Sequence, residues 1–359
     1  MHGINAADNK TDIKSMTKAE LTDSFKALGL PKFRADQVYD WLHAKGAVSF
    51  DEMTNISKDL RAALLQNYYI YNVTIEKKLI SAYDGTIKYL FRLDDGEYIE
   101  SVVMSYHHGY TICISTQAGC RMGCRFCATG MGGLARNLRP AEMLSQITTS
   151  QRDNNIRISN IVLMGMGEPL DNFDNVMRFL ELVSDTDGVG IGMRHISLST
   201  CGLVDKIYRL IEMKPQFTLS VSLHAPNDAL RGEMMPVNHK WNVEQLLTAC
   251  RKYAEATHRR ISFEYSLIKD KNDTDACALE LAGKLKGMLC HVNLIPVNTV
   301  KGNSYERSSP QQIQKFIKIL ESRGITATVR RTLGADINAS CGQLRRKKKE
   351  ESDGNLQQD

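Results

Sequence analysis

No apolar run in this sequence approaches the roughly 18 residues that a membrane-spanning helix requires, so a helical membrane protein is not expected. The opening stretch, Met1 to Lys18, is polar and lacks the hydrophobic core of a secretion signal. A cytoplasmic protein with no membrane partner is expected. Nine cysteines, an odd number spread unevenly over 359 residues, do not suit the disulfide framework of a small secreted domain. Strong charge is missing as well: a net charge of +5 permits contact with nucleic acid without demanding it. What remains is a chain with 42% hydrophobic and 24% charged residues, enough to bury the core of a globular enzyme.

The cysteines are concentrated in one place. Cys120, Cys124 and Cys127, separated by three and then two residues, lie in Cys120-Arg121-Met122-Gly123-Cys124-Arg125-Phe126-Cys127. Thiolates are soft ligands, and this spacing suits a loop wrapped around one metal centre. A fourth close thiol is absent. The next one upstream, Cys113, falls inside the apolar run Thr111-Ile112-Cys113-Ile114-Ser115, which reads as a strand. The expected ligand is therefore a [4Fe-4S] cluster held by three cysteines, with one iron left open for a small molecule. The non-enzyme alternative is an RNA-binding protein holding zinc through Cys113, Cys120, Cys124 and Cys127. Zinc sites usually pair two close cysteines with a second close pair, and this spacing does not.

Along the chain, Lys18 to Leu28, Ala35 to His43 and Leu60 to Asn67 carry apolar residues at helical spacing, with Gly29-Leu30-Pro31 between the first two. Arg34, Gln37, Trp41, His43 and Lys45 read either as a basic and aromatic face suited to an RNA backbone and a stacked base or as a solvated face with one core tryptophan. Glu76 to Met104 reads as short strands with turns at Tyr83-Asp84-Gly85-Thr86 and Asp94-Asp95-Gly96. From Tyr110 onward, strands at 111–116, 160–164, 195–199, 217–223, 261–267 and 291–295 alternate with amphipathic helices. Six such units imply an α/β fold with a parallel sheet closed or partly closed into a barrel, a partial (β/α)6 barrel. The expected organisation is a helical accessory unit at 1–80, a β-hairpin linker at 81–105 carrying Glu100, a barrel at 106–344, and a flexible basic then acidic tail at 345–359.

In such barrels chemistry gathers at the C-terminal ends of the strands. The cluster loop follows the first of them. Gly165-Met166-Gly167-Glu168-Pro169 follows the second, with glycines that let backbone approach a ligand and a glutamate able to hold an ammonium group. Ser199-Thr200-Cys201-Gly202, Ser222-Leu223-His224 and Ile295-Pro296-Val297-Asn298 follow later strands. Taken as a ring, they describe a pocket for a polar, zwitterionic cofactor beside the open iron. Near the end, Cys341 sits among polar residues beside a glycine, as expected of an exposed loop, and Arg345-Arg346-Lys347-Lys348-Lys349 is expected to be a solvated tail.

The loop Cys120-x3-Cys124-x-Phe126-Cys127 resembles the signature of radical S-adenosylmethionine (SAM) enzymes, and Gly165 to Pro169 resembles their SAM-binding turn. Further segments narrow the resemblance: Glu100 to Met104, Cys113 to Cys120, Met164 to Pro169, Ser220 to Asp228, Asn293 to Pro296 and Ala339 to Leu344 are together similar to adenine-C2 RNA methyltransferases of the RlmN type. Asn338 and Ser340 stand where that family often has Asp and Ala. The resemblance covers nearly the whole chain.

It implies methylation of carbon 2 of an adenine in 23S rRNA at the peptidyl-transferase centre, and in some members of an adenine in tRNA. It implies that Cys120, Cys124 and Cys127 hold the cluster, and that Gly167, Glu168, Ser199, Ser222, Leu223, His224 and Asn298 line the SAM pocket. Two SAM molecules would be used per turnover, one of them methylating Cys341. Glu100 would be the general base. Cys113 would attack the Cys341 sulfur to release RNA from a transient crosslink, leaving a disulfide. An electron donor such as flavodoxin or ferredoxin and a monomeric state are also implied. A sister group methylating carbon 8 and conferring antibiotic resistance is the alternative; Glu168-Pro169 resembles the C2 enzymes, whereas that group has alanine after the glutamate.

Overall fold

A computed structural model of the chain describes residues 4–5, 10–297, 305–339, 344–345 and 348. Residues 10–73 build a helical unit with its own apolar core, in which Leu21, Phe25, Val38, Leu42, Met53 and Leu64 are buried. Helix α1 (Lys18–Ala27) starts at a reciprocal cap between Thr17 and Glu20 and stops before Gly29, whose φ of 73° is left-handed. Helix α2 (Lys32–Tyr39) begins after Pro31 and runs into a five-residue π turn at Asp40–Ala44; helix α3 (Lys58–Asn67) closes the unit. Two short strands, Lys10–Asp12 and Tyr68–Tyr69, pair in parallel beside it.

One ten-stranded sheet forms the rest of the frame. Its strands are β1 (Thr74–Ile80), β2 (Ile87–Arg92), β3 (Tyr98–Tyr106), β4 (Gly109–Cys113), β5 (Ile158–Leu163), β6 (Ile196–Thr200), β7 (Thr218–Ser222), β8 (Ile261–Leu267), β9 (Cys290–Pro296) and β10 (Ala327–Val329), and their order across the sheet is their order along the chain. From β4 to β10 every neighbouring pair is parallel. Helices α4 (Pro140–Asn154), α5 (Phe173–Ser184), α6 (Val204–Met213), α7 (Asp228–Met234), α8 (Val243–Thr257), α9 (Asp275–Leu285) and α10 (Pro310–Ser322) fill the crossovers. Winding in one direction, with each parallel strand next to its predecessor, is what curls a sheet into a partial barrel. The seventh parallel strand, β10, is only three residues long and was not expected from the sequence.

The hairpin strands β1 to β3 join this sheet through an antiparallel pairing of β3 with β4, in which Val102 faces Cys113. The stretch expected as a linker is thus continuous with the barrel sheet, its turns set by Gly85 and Gly96, both at positive φ. β4 ends at Cys113, earlier than expected. Ile114 N still donates to Val162 O within β5 at 3.0 Å, and the backbone then bonds the turn after β5, with Thr116 N donating to Met166 O at 2.8 Å.

Buried polar contacts join the helical unit to the barrel. The Lys14 ammonium, wholly buried, donates to Ser145 Oγ at 2.9 Å and Thr148 Oγ1 at 3.1 Å on α4. Tyr39 donates to Asp185 at 2.8 Å.

Candidate active site

The thiol loop is the tip of a hairpin. Gln117–Gly119 pairs antiparallel with Leu134–Asn137, and Cys120 N donates to Gly133 O at 2.8 Å. Gly119 has φ 87°, and a Cβ there would lie 2.0 Å from Gly133 O, so no other residue fits. The loop docks on α7 through Arg125 N and Met234 O at 3.0 Å. Arg121 pairs with Asp171.

Cys120, Cys124 and Cys127 line a cavity of about 230 Å³ together with Gly167, Glu168, Ser199, Ser222 and His224. The strand-end segments expected to form one pocket therefore do meet. Burial pushes the Cys120 thiol up to about 12 and the Cys124 thiol higher still, and neighbouring thiols add to both shifts. Thiolates in such a place need a cation to share the cavity. Among the described residues no three His, Cys, Asp or Glu side chains converge on one metal ion. A multi-iron cluster, which spreads its ligands further apart than a single ion does, fits this donor set better than zinc.

The glycine turn after β5 lines the cavity through Gly165 and Gly167 and also packs tightly beneath it. A Cβ on Gly165 would lie 2.4 Å from Ile114 O, and one on Gly167 would lie 2.6 Å from Gln117 Cβ. Both glycines let the turn press on the chain's own backbone below the thiol loop. Glu168 is buried; it accepts from Cys201 N at 2.7 Å and Leu170 N at 3.0 Å, which fastens the β5 turn to the end of β6. Its burial raises the carboxyl pKa.

His224 is buried at φ 59°, and its Nδ1 accepts from Ser266 N at 2.9 Å. That bond leaves the ring proton on Nε2. Burial pushes the ring down to about 3, so it stays neutral at physiological pH. Phe126 of the thiol loop packs edge-on against it, 4.7 Å between ring centres. Leu223 is a core side chain outside the cavity wall; its main-chain N donates to Glu264 O at 3.1 Å.

A second cavity of about 240 Å³ abuts the first, sharing Met164, Ile295 and Arg330 with it. Cys113, buried on β4, lines it beside Val102, Met104, Leu333 and Ala339. Glu100 lies on β3 and is fully buried, lining neither cavity. Its carboxylate pairs with Lys88 Nζ at 2.9 Å and accepts from Arg345 N at 2.9 Å.

Family models match at both ends of this architecture. Residues 11–70 match the N-terminal domain of the ribosomal RNA large subunit methyltransferase, RlmN, and residues 114–281 match the radical SAM superfamily. A protein of Alkaliphilus oremlandii named as a probable dual-specificity RNA methyltransferase RlmN is 55% identical over 94% of this chain and 98% of its own length. The chain belongs to the RlmN family. An RlmN-named protein of Lachnoclostridium phytofermentans is 52% identical over 94% of the chain and 95% of its own length. The crystal structure of a radical SAM methyltransferase from Sphaerobacter thermophilus superposes with a TM-score of 0.89 at 44% identity, covering 92% of this chain and 98% of that one. As an RlmN-type radical SAM RNA methyltransferase, the protein uses a [4Fe-4S] cluster and SAM, and its substrate is RNA.

Against the RlmN expectations, Cys341 and Asn298 lie outside the described residues. The expected disulfide would join Cys113 to Cys341 and so falls outside the described residues. Two expectations are corrected. His43 does not join the basic face; it is buried against Tyr39, 4.3 Å between ring centres, because the π turn adds a residue to the helical repeat and rotates it inward. Arg345 is not part of a solvated tail; it is buried and pairs with Glu97 at 2.8 Å. Glu264, Ser266 and Arg330 also line the first cavity and were not singled out from sequence. Glu264 left one signal, a lone carboxylate inside the apolar strand Ile261–Leu267.

Proposed function

We propose that this RNA methyltransferase methylates carbon 2 of an adenine in 23S rRNA, at the peptidyl-transferase centre, and of an adenine in tRNA. The dual-specificity name of its relatives supports the pair of substrates, and Pro169 after Glu168 supports carbon 2 over carbon 8. The observation that carries the reading is the contact of two cavities. The one lined by Cys113 shares Met164, Ile295 and Arg330 with the one lined by the three loop thiols, and Ala339, two residues before Cys341, stands in the wall of the Cys113 cavity.

In this reading Cys120, Cys124 and Cys127 hold the cluster, and Gly167, Glu168, Ser199, Ser222, Leu223, His224 and Asn298 hold SAM. When bound, the cluster and SAM supply radical chemistry that an electron-poor ring carbon between two nitrogens accepts, at a cost of two SAM per turnover, one of them methylating Cys341. Cys341 carries the methyl carbon to the adenine and is joined to it transiently. Glu100 removes the C2 proton. Cys113 attacks the Cys341 sulfur, which frees the methylated RNA. Glu100 is covered here by Arg345 N–H and Lys88, so the segment around Arg345 withdraws when RNA enters.

The N-terminal unit supplies the RNA contact in the same reading. Lys45 lies over the Trp41 ring at 4.2 Å and Arg34 over Phe33 at 4.8 Å, giving one cation–aromatic pair near the start of α2 and one just past its end. A monomer in the cytoplasm, reduced by a flavodoxin or ferredoxin, completes the proposal. No helix among the described residues is long and apolar enough to cross a membrane.

Peptide mass mapping tests the methyl carrier. After incubation of the iron-reconstituted protein with SAM, the peptide containing Cys341 is expected to gain one methylene unit of mass. The gain appearing at Cys113 instead, or nowhere, contradicts the assignment.

A further inference from the structure

Arg231 is completely buried on α7, where a guanidinium is costly unless an opposite charge lies close by. Its donors go to uncharged acceptors: Nε to Leu223 O at 3.2 Å, Nη1 to Asn238 Oδ1 at 3.0 Å, and Nη2 to Cys201 O at 2.6 Å and Ser222 O at 3.3 Å. Among the described residues no carboxylate pairs with it. Asp228, at the start of the same helix, is exposed and engaged by Asn238 Nδ2 and Val243 N.

The uncompensated cation stands behind the wall of the thiol cavity. Cys201 and Ser222, whose carbonyls it grips, line that cavity with Cys120, Cys124 and Cys127. The helix that carries it is the one on which the thiol loop docks, through Arg125 N and Met234 O. Burial lowers the guanidinium pKa, and the Cys201 and Cys124 thiols are the strongest groups opposing that effect.

We propose that Arg231 is the buried counter-charge of the iron-sulfur cluster, raising its reduction potential while it holds the ends of β6 and β7 in place. This rests on the reading that the three loop cysteines hold the cluster. One-electron reduction adds one negative charge to the cluster, taken from an external reductant. A fixed cation in a poorly screened interior favours that more negative state. Arginine suits the position because its planar fork reaches three carbonyls at once, whereas a lysine facing the anionic cluster would keep the charge without that span.

The test compares wild type, Arg231→Gln and Arg231→Lys after anaerobic reconstitution, by iron content and by midpoint potential from a dithionite titration followed by electron paramagnetic resonance. Arg231→Gln is expected to shift the midpoint to more negative values. Arg231→Lys is expected to stay near the wild-type midpoint while melting at a lower temperature, since one ammonium cannot span three carbonyls. A wild-type midpoint in Arg231→Gln, or equal shifts in both variants, overturns the electrostatic role and leaves a structural bracket. If Arg231→Gln does not fold, Arg231→Lys decides: a wild-type midpoint upholds the role and a displaced one overturns it. A wild-type chain that binds no iron overturns the cluster reading itself, and this inference with it.

Discussion

The Lys88 ammonium lies 2.9 Å from one Glu100 oxygen with both side chains sealed from solvent, and it also donates to the Asn338 carbonyl at 2.8 Å. The other Glu100 oxygen accepts the Arg345 N–H at 2.9 Å. One buried ion pair thus ties the strand of the proposed base to both flanks of the segment containing Cys341. Ser81 and Asp84 strengthen the tie from the β1–β2 turn, through Asp336 at 2.6 Å and Gly334 N at 2.8 Å.

Breaking that pair from one side leaves a buried charge without its partner. Lys88→Met is expected to cost about 3–5 kcal/mol. Lys88→Met combined with Glu100→Gln removes both charges and is expected to recover part of the loss. Urea unfolding of the two singles and the double checks this; strictly additive losses would show that the two groups do not act as a pair.

The N-terminal unit carries a pH signature. Burial, with the Lys14 charge adding to it, pushes His43 down to about 3, and neither ring nitrogen has a hydrogen-bond partner. The unfolded chain therefore takes up the proton first. Stability from this group is complete above pH 6.5 and is lost toward pH 3, with a slope of up to about 1.4 kcal/mol per pH unit. Asp12 runs the other way: burial raises it to about 6, so stability falls as pH rises from 3.8 to 6. Unfolding midpoints between pH 4.5 and 6 should be nearly flat in the wild type, where the two slopes oppose each other, rise with pH in Asp12→Asn and fall with pH in His43→Leu. The reverse ordering would contradict the burial of His43.

Two glycine substitutions should part company. Gly119→Ala drives a Cβ into Gly133 O at a left-handed backbone position and is expected to open the thiol hairpin, with iron per chain falling severalfold. Gly283→Ala lies exposed on α9 with nothing within 4 Å of the new carbon, and is expected to stabilise by about 0.5–1 kcal/mol. Iron and labile sulfide assays, with melting curves, check the pair.

Cys113→Ser keeps the size of a side chain that lines the neighbouring cavity rather than that of the loop thiols, so iron content and SAM cleavage should stay at wild-type levels. Release of RNA should fail. A protein-RNA adduct that survives denaturing electrophoresis is expected to accumulate, and normal turnover without adduct would remove Cys113 from the release step.

Local chemistry was legible in the sequence, and long-range geometry was not. The spacing of Cys120, Cys124 and Cys127 and the strand-loop-helix rhythm after Tyr110 are read within a few residues, so they placed the thiol loop at a barrel mouth. Arg345 sits in a run of five basic residues, and composition alone makes such a run look solvated. Only the fold brings Glu97 and Glu100 to it. The Lys88–Glu100 pair likewise depends on the register between β2 and β3, which sets Leu90 rather than Lys88 opposite Glu100. His43 was misplaced because helical extrapolation carries no warning of a π turn. Arg231 had no local signal, since a lone arginine on a seven-residue helix ordinarily faces water.

The most direct test of the account is an anaerobic reaction of iron-reconstituted protein with SAM, a reductant and protein-free 23S rRNA, the modified nucleosides being separated against C2- and C8-methyladenosine standards. C2-methyladenosine that disappears in Cys341→Ala is the predicted result. C8-methyladenosine, or SAM cleavage with no methylated adenosine at either carbon, would contradict it.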